Sequence, residues 1–395
     1  MDENKELLEL YDGQQRKEIE ELLDHVGVIH YPPATPGEFL HSETGGFVGD
    51  YPYITEVTKD AVRHFVDGIG DDNPLWLEEG YAAKTKWGRV IAPPSFIWSC
   101  NCDGGFLLNS FTGLNIGQNY KFFAPIREGD RIQTSWTMVP PVPQRTRLAS
   151  RAIRQPHKYF FHNQDDELIC EYISLQYRYL KSDSPPERAV TDVPEYPKYT
   201  DEELRGIQQE YALEKRRGAE PRYIEDVQVG EELPPVIKGP WSVRDAIAYY
   251  FGIGSPAHVA HRNFWLKYQK ERPYYVLTDF NSGLPEIMRM HHVSTAHARA
   301  RGFPFAIEVG PNRTANQMHC LTNWMGDDGF ITELSVRVIA PVMEGDVYRC
   351  SGRISEKFED ERGSQVRVEL ATVNQRAEET APGWATIALP SRSRK

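Results

Sequence analysis

Residues 61–74 read AVRHFVDGIGDDNP and residues 246–258 read AIAYYFGIGSPAH; both end a helix-forming run on Gly-Ile-Gly, and Gly68 and Gly252 stand 184 positions apart. Self-similarity on this scale fixes an architecture before any local motif does. The likeness continues outward. Gly88 in KTKWGRVIAPP matches Gly302 in RARGFPFAIEVG at an offset of 214, and Ala124-Pro125 with Glu128-Gly129-Asp130 returns as Ala340-Pro341 with Glu344-Gly345-Asp346 at 216. The chain reads as two copies of one unit. The rise in offset from 184 to 214 predicts a 30-residue insertion between Gly254 and Gly302.

Each copy opens with a predicted helix, 58–66 in one and 242–251 in the other, and each helix starts on a hydroxyl residue suited to the N-cap, Thr58 or Ser242. Alternating stretches follow: RIQTSWTMV and LICEYISLQYRYL in the first copy, ITELSVRVIAP, VYRCSGRIS and SQVRVELATV in the second. These read as strands, with Glu-Gly-Asp as a turn between them. A helix followed by an antiparallel meander, twice over, predicts an α+β protein whose helices cover the apolar face of a curved sheet. Residues 1–44 read as a helical extension, in which 1–26 form one amphipathic helix docking through Leu7, Leu10, Leu22 and Leu23. Residues 45–180 form the first unit, and 221–395 the second, with its insertion near 255–285. Between them, 181–220 is a Pro-rich, charged linker in which a Thr200 to Glu203 capping box starts a helix running to Arg217.

At 395 residues the chain can bury a sizeable core, and 40% hydrophobic with 11% aromatic residues excludes a disordered protein. Its 45 Lys+Arg against 57 Asp+Glu leave a net charge of -12, which excludes the basic footprint of a nucleic-acid binder. No stretch reaches the roughly 18–20 apolar residues that span a bilayer, and the acidic start is no signal peptide, so a cytoplasmic protein without a membrane partner is expected. Five scattered cysteines, with no CxxC spacing, read as reduced buried thiols. No phosphate-cradling glycine loop suggests a nucleotide cofactor, and none is expected.

Chemistry-bearing residues gather in two places. Asp71 and Asn73 in DDNP can both shape a turn and aim a carboxylate into a cleft, although taken alone Asp-x-Asn-Pro is more often just turn chemistry. Five of the twelve histidines, His258, His261, His291, His292 and His297, lie in or beside the insertion. His258 and His261, three apart, could share a helix face and ligate a metal, but the run 257–271 reads as well as an amphipathic helix with histidines on its rim, and no metal site is expected.

The segment FVDGIGDDNPLWLEEGYAAKTKWGRVIAPPSF (65–96), together with PEIMRMHHVSTAHARARGFPFAIEVG (285–310), LTNWMGDDGF (321–330) and NQRAEETAPGWATIALPSR (374–392), resembles the MaoC-like enoyl-CoA hydratases and dehydratases, in particular their two-repeat members. The resemblance implies a double hotdog, in which two long helices lie on one continuous antiparallel sheet and an acyl thioester binds between the halves. It implies reversible addition of water to a 2-enoyl thioester by an Asp and a His five residues later. Two groups of different pKa in one cleft can divide proton removal from water and proton delivery to the α carbon. Backbone N–H groups at a helix start, here Gly310, would hold the enolate oxygen.

The first half keeps Asp71 and Asn73, but Trp76 stands where the resemblance expects His and cannot carry a proton. This half is thereby implied to shape the acyl tunnel. In the second half His292 matches the family His, while the residue five before it is Ile287. Asp279 and Asn281 restore the Asp-x-Asn pattern if the extra loop interrupts the motif. A register that keeps Gly254 aligned puts Ser255 at the acid position instead, and a third arrangement borrows Asp71 across the interface. The candidate catalytic residues are therefore His292, Asp279, Asn281 and Asp71. The candidate substrate-binding residues are Asn73, Trp76, His258, His261, His291, Gly310 and Arg313. Arg313, with Arg289, Arg299 and Arg301, could meet CoA phosphates despite the acidic total, because the field at the cleft mouth decides. His297 takes the family's aromatic packing position. Phe264, Trp265, Tyr268, Tyr274 and Tyr275 of the insertion either line a wide pocket for a cyclic or branched acyl group or pack the loop itself. The expected activity is that of a hydro-lyase, an enoyl-CoA hydratase or 3-hydroxyacyl-CoA dehydratase, working on acyl-CoA as a homodimer or higher homo-oligomer. An acyl-CoA-binding subunit without catalysis and an acyl-CoA thioesterase are the alternatives.

Overall fold

The computed structural model describes residues 2–36, 38–42, 47–102, 104–146, 149–183, 195–255, 259–279 and 282–393. One antiparallel sheet organises the chain. Its strands are β1 (Thr112–Phe122), β2 (Gln133–Met138), β3 (Val142–Gln144), β4 (Ala152–His162), β5 (Leu168–Tyr179), β6 (Glu232–Lys238), β7 (Phe330–Arg337), β8 (Tyr348–Asp360), β9 (Gly363–Asn374) and β10 (Gly383–Ala388). They run in the order β2-β4-β5-β1-β7-β10-β9-β8-β6, with β3 on the edge of β4. The two halves merge where β1 pairs with β7 in the register Tyr120 to Leu334 and Asn119 to Ser335. There the Ser335 hydroxyl donates to Asn119 Oδ1 at 2.8 Å.

The N-terminal segment is two helices, α1 (Asp2–Glu9) and α2 (Gly13–Asp24), where the sequence predicts one. The break is packed rather than frayed: Tyr11 sets its ring edge-on to Phe111 at 5.1 Å, and Gly13 follows at φ +50°. Leu7 and Leu22 are fully buried, so the docking face is the expected one.

Helices α3 (Lys59–Ile69) and α5 (Val243–Gly252) begin on Thr58 and Ser242, as their hydroxyl N-caps require. The Thr58 hydroxyl accepts from Ala61 N–H, and Ser242 shares a capping box with Asp245. The two helices cross at their repeated glycines. A Cβ on Gly68 would lie 2.7 Å from the Ala248 carbonyl oxygen, and one on Gly252 would lie 2.7 Å from that of His64. These contacts are exchanged by the same 184-residue offset, so the crossing follows a local twofold.

Helix α4 (Asp201–Leu213) has the predicted capping box but stops four residues before Arg217. The reason is Glu214, drawn off the helix axis to His319 and Asn323 on α6 (Gly310–Met325). Helix α6 lies within the second half, buried from Pro311 to Met325 although half its side chains are polar. Among the described residues the first half has no helix of that length. Its corresponding residues Pro94–Cys100 form a 3-10 segment, after which Gly104–Phe106 pairs with the strand Phe47–Asp50. The Gly104-Gly105 pair would be costly inside a continued helix.

The insertion holds a helical stretch over 261–271 and a two-stranded hairpin, Val276–Thr278 with Pro285–Ile287. All five cysteines are buried and none is bridged to another. No helix among the described residues is long and apolar enough to cross a membrane.

Candidate functional site

The first-half motif folds on itself. Asp71 Oδ1 accepts from Asn73 N–H at 3.0 Å, and Asn73 Oδ1 accepts from Leu75 N–H at 3.0 Å, capping the short helix Pro74–Leu77. Trp76, at the position expected for His, donates its Nε1–H to Asp71 Oδ2 at 3.0 Å. From the second half, His319 brings Nε2 to 3.7 Å from Asp71 Oδ1 and 3.2 Å from Glu214 Oε1. Lys238 of β6 closes the cluster, donating to the Ile69 carbonyl at 2.7 Å and lying 2.9 Å from His319 Nδ1. Burial pushes the Lys238 ammonium below its ordinary value, against the opposing charges of Glu214 and Asp71. For Glu214, burial alone would raise the carboxyl, but His319 and Lys238 outweigh it and the net direction is down.

Beside this cluster lies an apolar cavity of about 30 Å³, bordered by Asn73, Trp76, Phe122 and Met325. It is room for about one or two waters. Asp71, Asn73 and Trp76 thus stand together in a closed, charge-compensated core, and His319, Lys238 and Glu214 join them there. Sequence reading missed those three: Asn312, Asn316, His319 and Asn323 share one polar face of α6, the pattern of a solvated face, and nothing local marks Lys238 or Glu214.

The second-half motif is more open. Asp279 Oδ1 accepts from Ser282 N–H at 2.6 Å and from the Ser282 hydroxyl at 2.7 Å. Its Oδ2 lies 3.0 Å from His297 Nε2. The expectation pairs Asp279 with His292; the structure gives it His297, five residues further along. His297 Nδ1 in turn meets Ser294 Oγ at 3.0 Å, at the start of the short helix Thr295–Ala300. His292 is half-buried, and its Nδ1 lies 2.8 Å from the Ile307 carbonyl oxygen. A carbonyl there requires the proton on Nδ1 and leaves Nε2 as the proton-accepting atom. His291 is buried behind it, ring centroids 3.9 Å apart, with Nδ1 on the Met288 carbonyl at 2.8 Å. Burial first, then the neighbouring His292 and Arg301, hold His291 well below the usual histidine value.

The remaining candidates separate. Gly310 is the first residue of α6, and Asn115 Oδ1 from β1 sits 3.3 Å from where its Cβ would be. Asn115 also accepts from Gln118 Nε2 at 3.0 Å, so a polar pair from the first half faces the start of the second half's helix. Arg313 is buried against Glu308 at 2.7 Å and also donates to the Ala340 carbonyl at 2.7 Å. Its charge is compensated inside the protein, which corrects the expectation that it meets phosphate. Arg301 is likewise turned inward, donating to Thr112 Oγ1 and the Gly113 carbonyl. His261 is exposed at the start of the insertion helix. His258 and Asn281 lie outside the described residues. Among the described residues no three His, Cys, Asp or Glu side chains are grouped to hold a metal.

Solved structures share this architecture. The chain superposes on a MaoC-like dehydratase with a TM-score of 0.61 at 18% identity, covering 91% of this chain and 99% of that one. It also superposes on a conserved hypothetical protein from Mycobacterium tuberculosis, described as a double hotdog fold, with a TM-score of 0.51 at 11% identity over 91% and 98% of the two chains. The chain has the double hotdog fold of the MaoC-like dehydratases. Within this double hotdog, residues 48–171 match the family model for the FAS1-like dehydratase domain region. A UPF0336 protein of Streptomyces avermitilis is 28% identical over 95 residues, 22% of this chain and 62% of that relative. Another from Thermobifida fusca is 30% identical over 97 residues, 22% and 64% of the respective chains. The double hotdog therefore spans less than two thirds of the length of the curated relatives it matches.

Proposed function

We propose that this double hotdog is a hydro-lyase that adds water to, or removes it from, a 2-enoyl thioester of CoA, and that the second half carries the chemistry. The observation that supports this best is the bond between His292 Nδ1 and the Ile307 carbonyl at 2.8 Å, which orients the ring and makes Nε2 its proton-accepting atom. In the hydration direction Nε2 takes one proton from water as the oxygen bonds to C3. The electron pair of the C2–C3 double bond moves to C2 and the thioester oxygen, and the imidazolium returns a proton to C2. The N–H of Gly310, at the start of α6, is the proposed donor to the enolate oxygen. Asp279 orients His297 beside this centre. The exposed Arg299 is the proposed partner of the CoA phosphates.

The test is steady-state hydration of crotonyl-CoA and trans-2-decenoyl-CoA by the purified chain, followed through loss of enoyl-thioester absorbance. His292→Ala should lower kcat by about 10²–10⁴, the usual contribution of a general acid–base group. Equal rates in wild type and variant would remove His292 from the chemistry. Release of free CoA without hydration would replace the reading with a thioesterase, and tight binding without turnover would replace it with a binding subunit.

A further inference from the structure

A second cavity lies where the first half meets the insertion of the second. It is open on one side and holds about 420 Å³ between a first-half strap, Phe39 with residues 50–53, and the helical stretch of the insertion. Ligand pockets of this kind measure roughly 300–1,000 Å³. The strap contributes Phe39, Tyr51 and Tyr53, and the insertion contributes Tyr268, with Asn263 and Lys267 on its exposed side. An ion pair and a hydrogen bond pin the walls together: Asp50 with Arg272, both almost wholly buried, and His41 Nε2 with Glu271 Oε2 at 3.2 Å. The Arg272 guanidinium is further held over the rings of Phe39 at 4.5 Å and Tyr268 at 5.3 Å. Walls secured by a buried ion pair and stacked rings keep a space open instead of collapsing into it.

One wall residue of the cavity is bonded to the second-half motif. Tyr53, in its wall, accepts a hydrogen bond through its hydroxyl from Arg289 at 3.4 Å, three residues before His292. The next residue, Ile54, packs 3.1 Å from where a Cβ of Gly254 would sit, at the root of the insertion. The first half has no insertion and hence no counterpart of this chamber.

We infer that the chamber receives the distal part of the acyl group, and that the acyl group is a rigid, ring-bearing one. This rests on the thioester reading above. Tyrosine and phenylalanine faces reward a flat or fused ring by stacking, whereas a flexible straight chain loses rotamer freedom on entering and gains no matching geometry. Asn263 and Lys267 at the rim supply donors to an oxygen substituent on the ring.

The test separates binding from turnover. Isothermal titration of the full chain with the non-reacting 3-(2-naphthyl)propanoyl-CoA should give a Kd at least about tenfold lower than decanoyl-CoA. Filling the chamber from its exposed side, by Asn263→Trp and independently by Lys267→Trp, should weaken the naphthyl ligand by about tenfold and change butanoyl-CoA by less than about twofold. Equal affinity for naphthyl and decanoyl esters in wild type, or folded variants that bind the naphthyl ester as wild type does, would overturn the inference. If no enoyl thioester is hydrated yet the ring preference persists and is lost in both variants, the hydro-lyase reading fails and the chamber stands.

Discussion

Asp71 Oδ1 and His319 Nε2 face each other at 3.7 Å across the junction of the two halves, and neither side chain reaches solvent. With Lys238 on one side and Trp76 donating to the same carboxylate, this is an enclosed polar core at the place where the first-half motif would have worked. Removing one partner from such a core leaves buried groups uncompensated. Asp71→Ala should cost about 3 kcal/mol of stability and Asp71→Asn about 1, with kcat on a hydrated thioester within about twofold of wild type. Urea unfolding and steady-state kinetics on the same preparations check this. A hundredfold fall in kcat with an unmoved unfolding midpoint would return Asp71 to the catalytic machinery.

At most helical sites Gly→Ala gains stability; at the α3/α5 crossing the sign reverses. A methyl on Gly68 meets a backbone oxygen at 2.7 Å, and backbone cannot rotate away. Gly68→Ala and Gly252→Ala should each lose about 1–3 kcal/mol by overpacking. Gly206→Ala in α4, where nothing lies within 4 Å, should gain about 0.4–1 kcal/mol. Thermal unfolding of the three variants decides, and equal midpoints would show the crossing to be looser than drawn.

The repeat was legible because glycines at a crossing and Glu-Gly-Asp turns are geometric requirements that survive when side-chain chemistry diverges. The caps at Thr58, Ser242 and Thr200 were legible for the same reason, each satisfying backbone donors locally. The long-range pairings were not. Nothing near Glu214 announces that it leaves α4 for His319, and nothing near Lys238 announces that it ends under α3. The motif histidine was found at His292, but which histidine Asp279 meets depends on how the hairpin 276–287 folds back, which spacing alone does not fix. Arg313 shows the converse: a basic residue in a motif region reads as a phosphate ligand until the buried Glu308 is placed beside it.

His291 makes stability depend on acid. Its buried ring is held well below the ordinary value of 6.5, first by burial and then by His292 and Arg301. The folded state therefore favours neutral His291. That contribution is complete above pH 6.5, the unfolded value, and is lost as pH falls from there toward the folded one, since only the unfolded chain gains the proton. Each pH unit over that window should remove about 1.4 kcal/mol. His291→Asn should flatten this limb. Urea midpoints at pH 8.0, 6.5 and 5.5 compare the two chains, and an unchanged slope in the variant would assign the acid limb to other groups.

Both carboxylate oxygens of Asp279 are engaged, with Ser282 donating twice to one and His297 beside the other. Its effect should run through His297, by fixing the proton on Nε2 and leaving Nδ1 to accept from Ser294. In Asp279→Asn an amide nitrogen can face His297 Nε2, which would reverse that tautomer. We expect kcat to fall by about 10–100-fold, less than for His292→Ala, with KM nearly unchanged. If the pair works as a unit, Asp279→Asn combined with His297→Gln should be no slower than His297→Gln alone. Multiplicative losses in that cycle would mean that the two side chains act separately, and that the 3.0 Å contact positions neither.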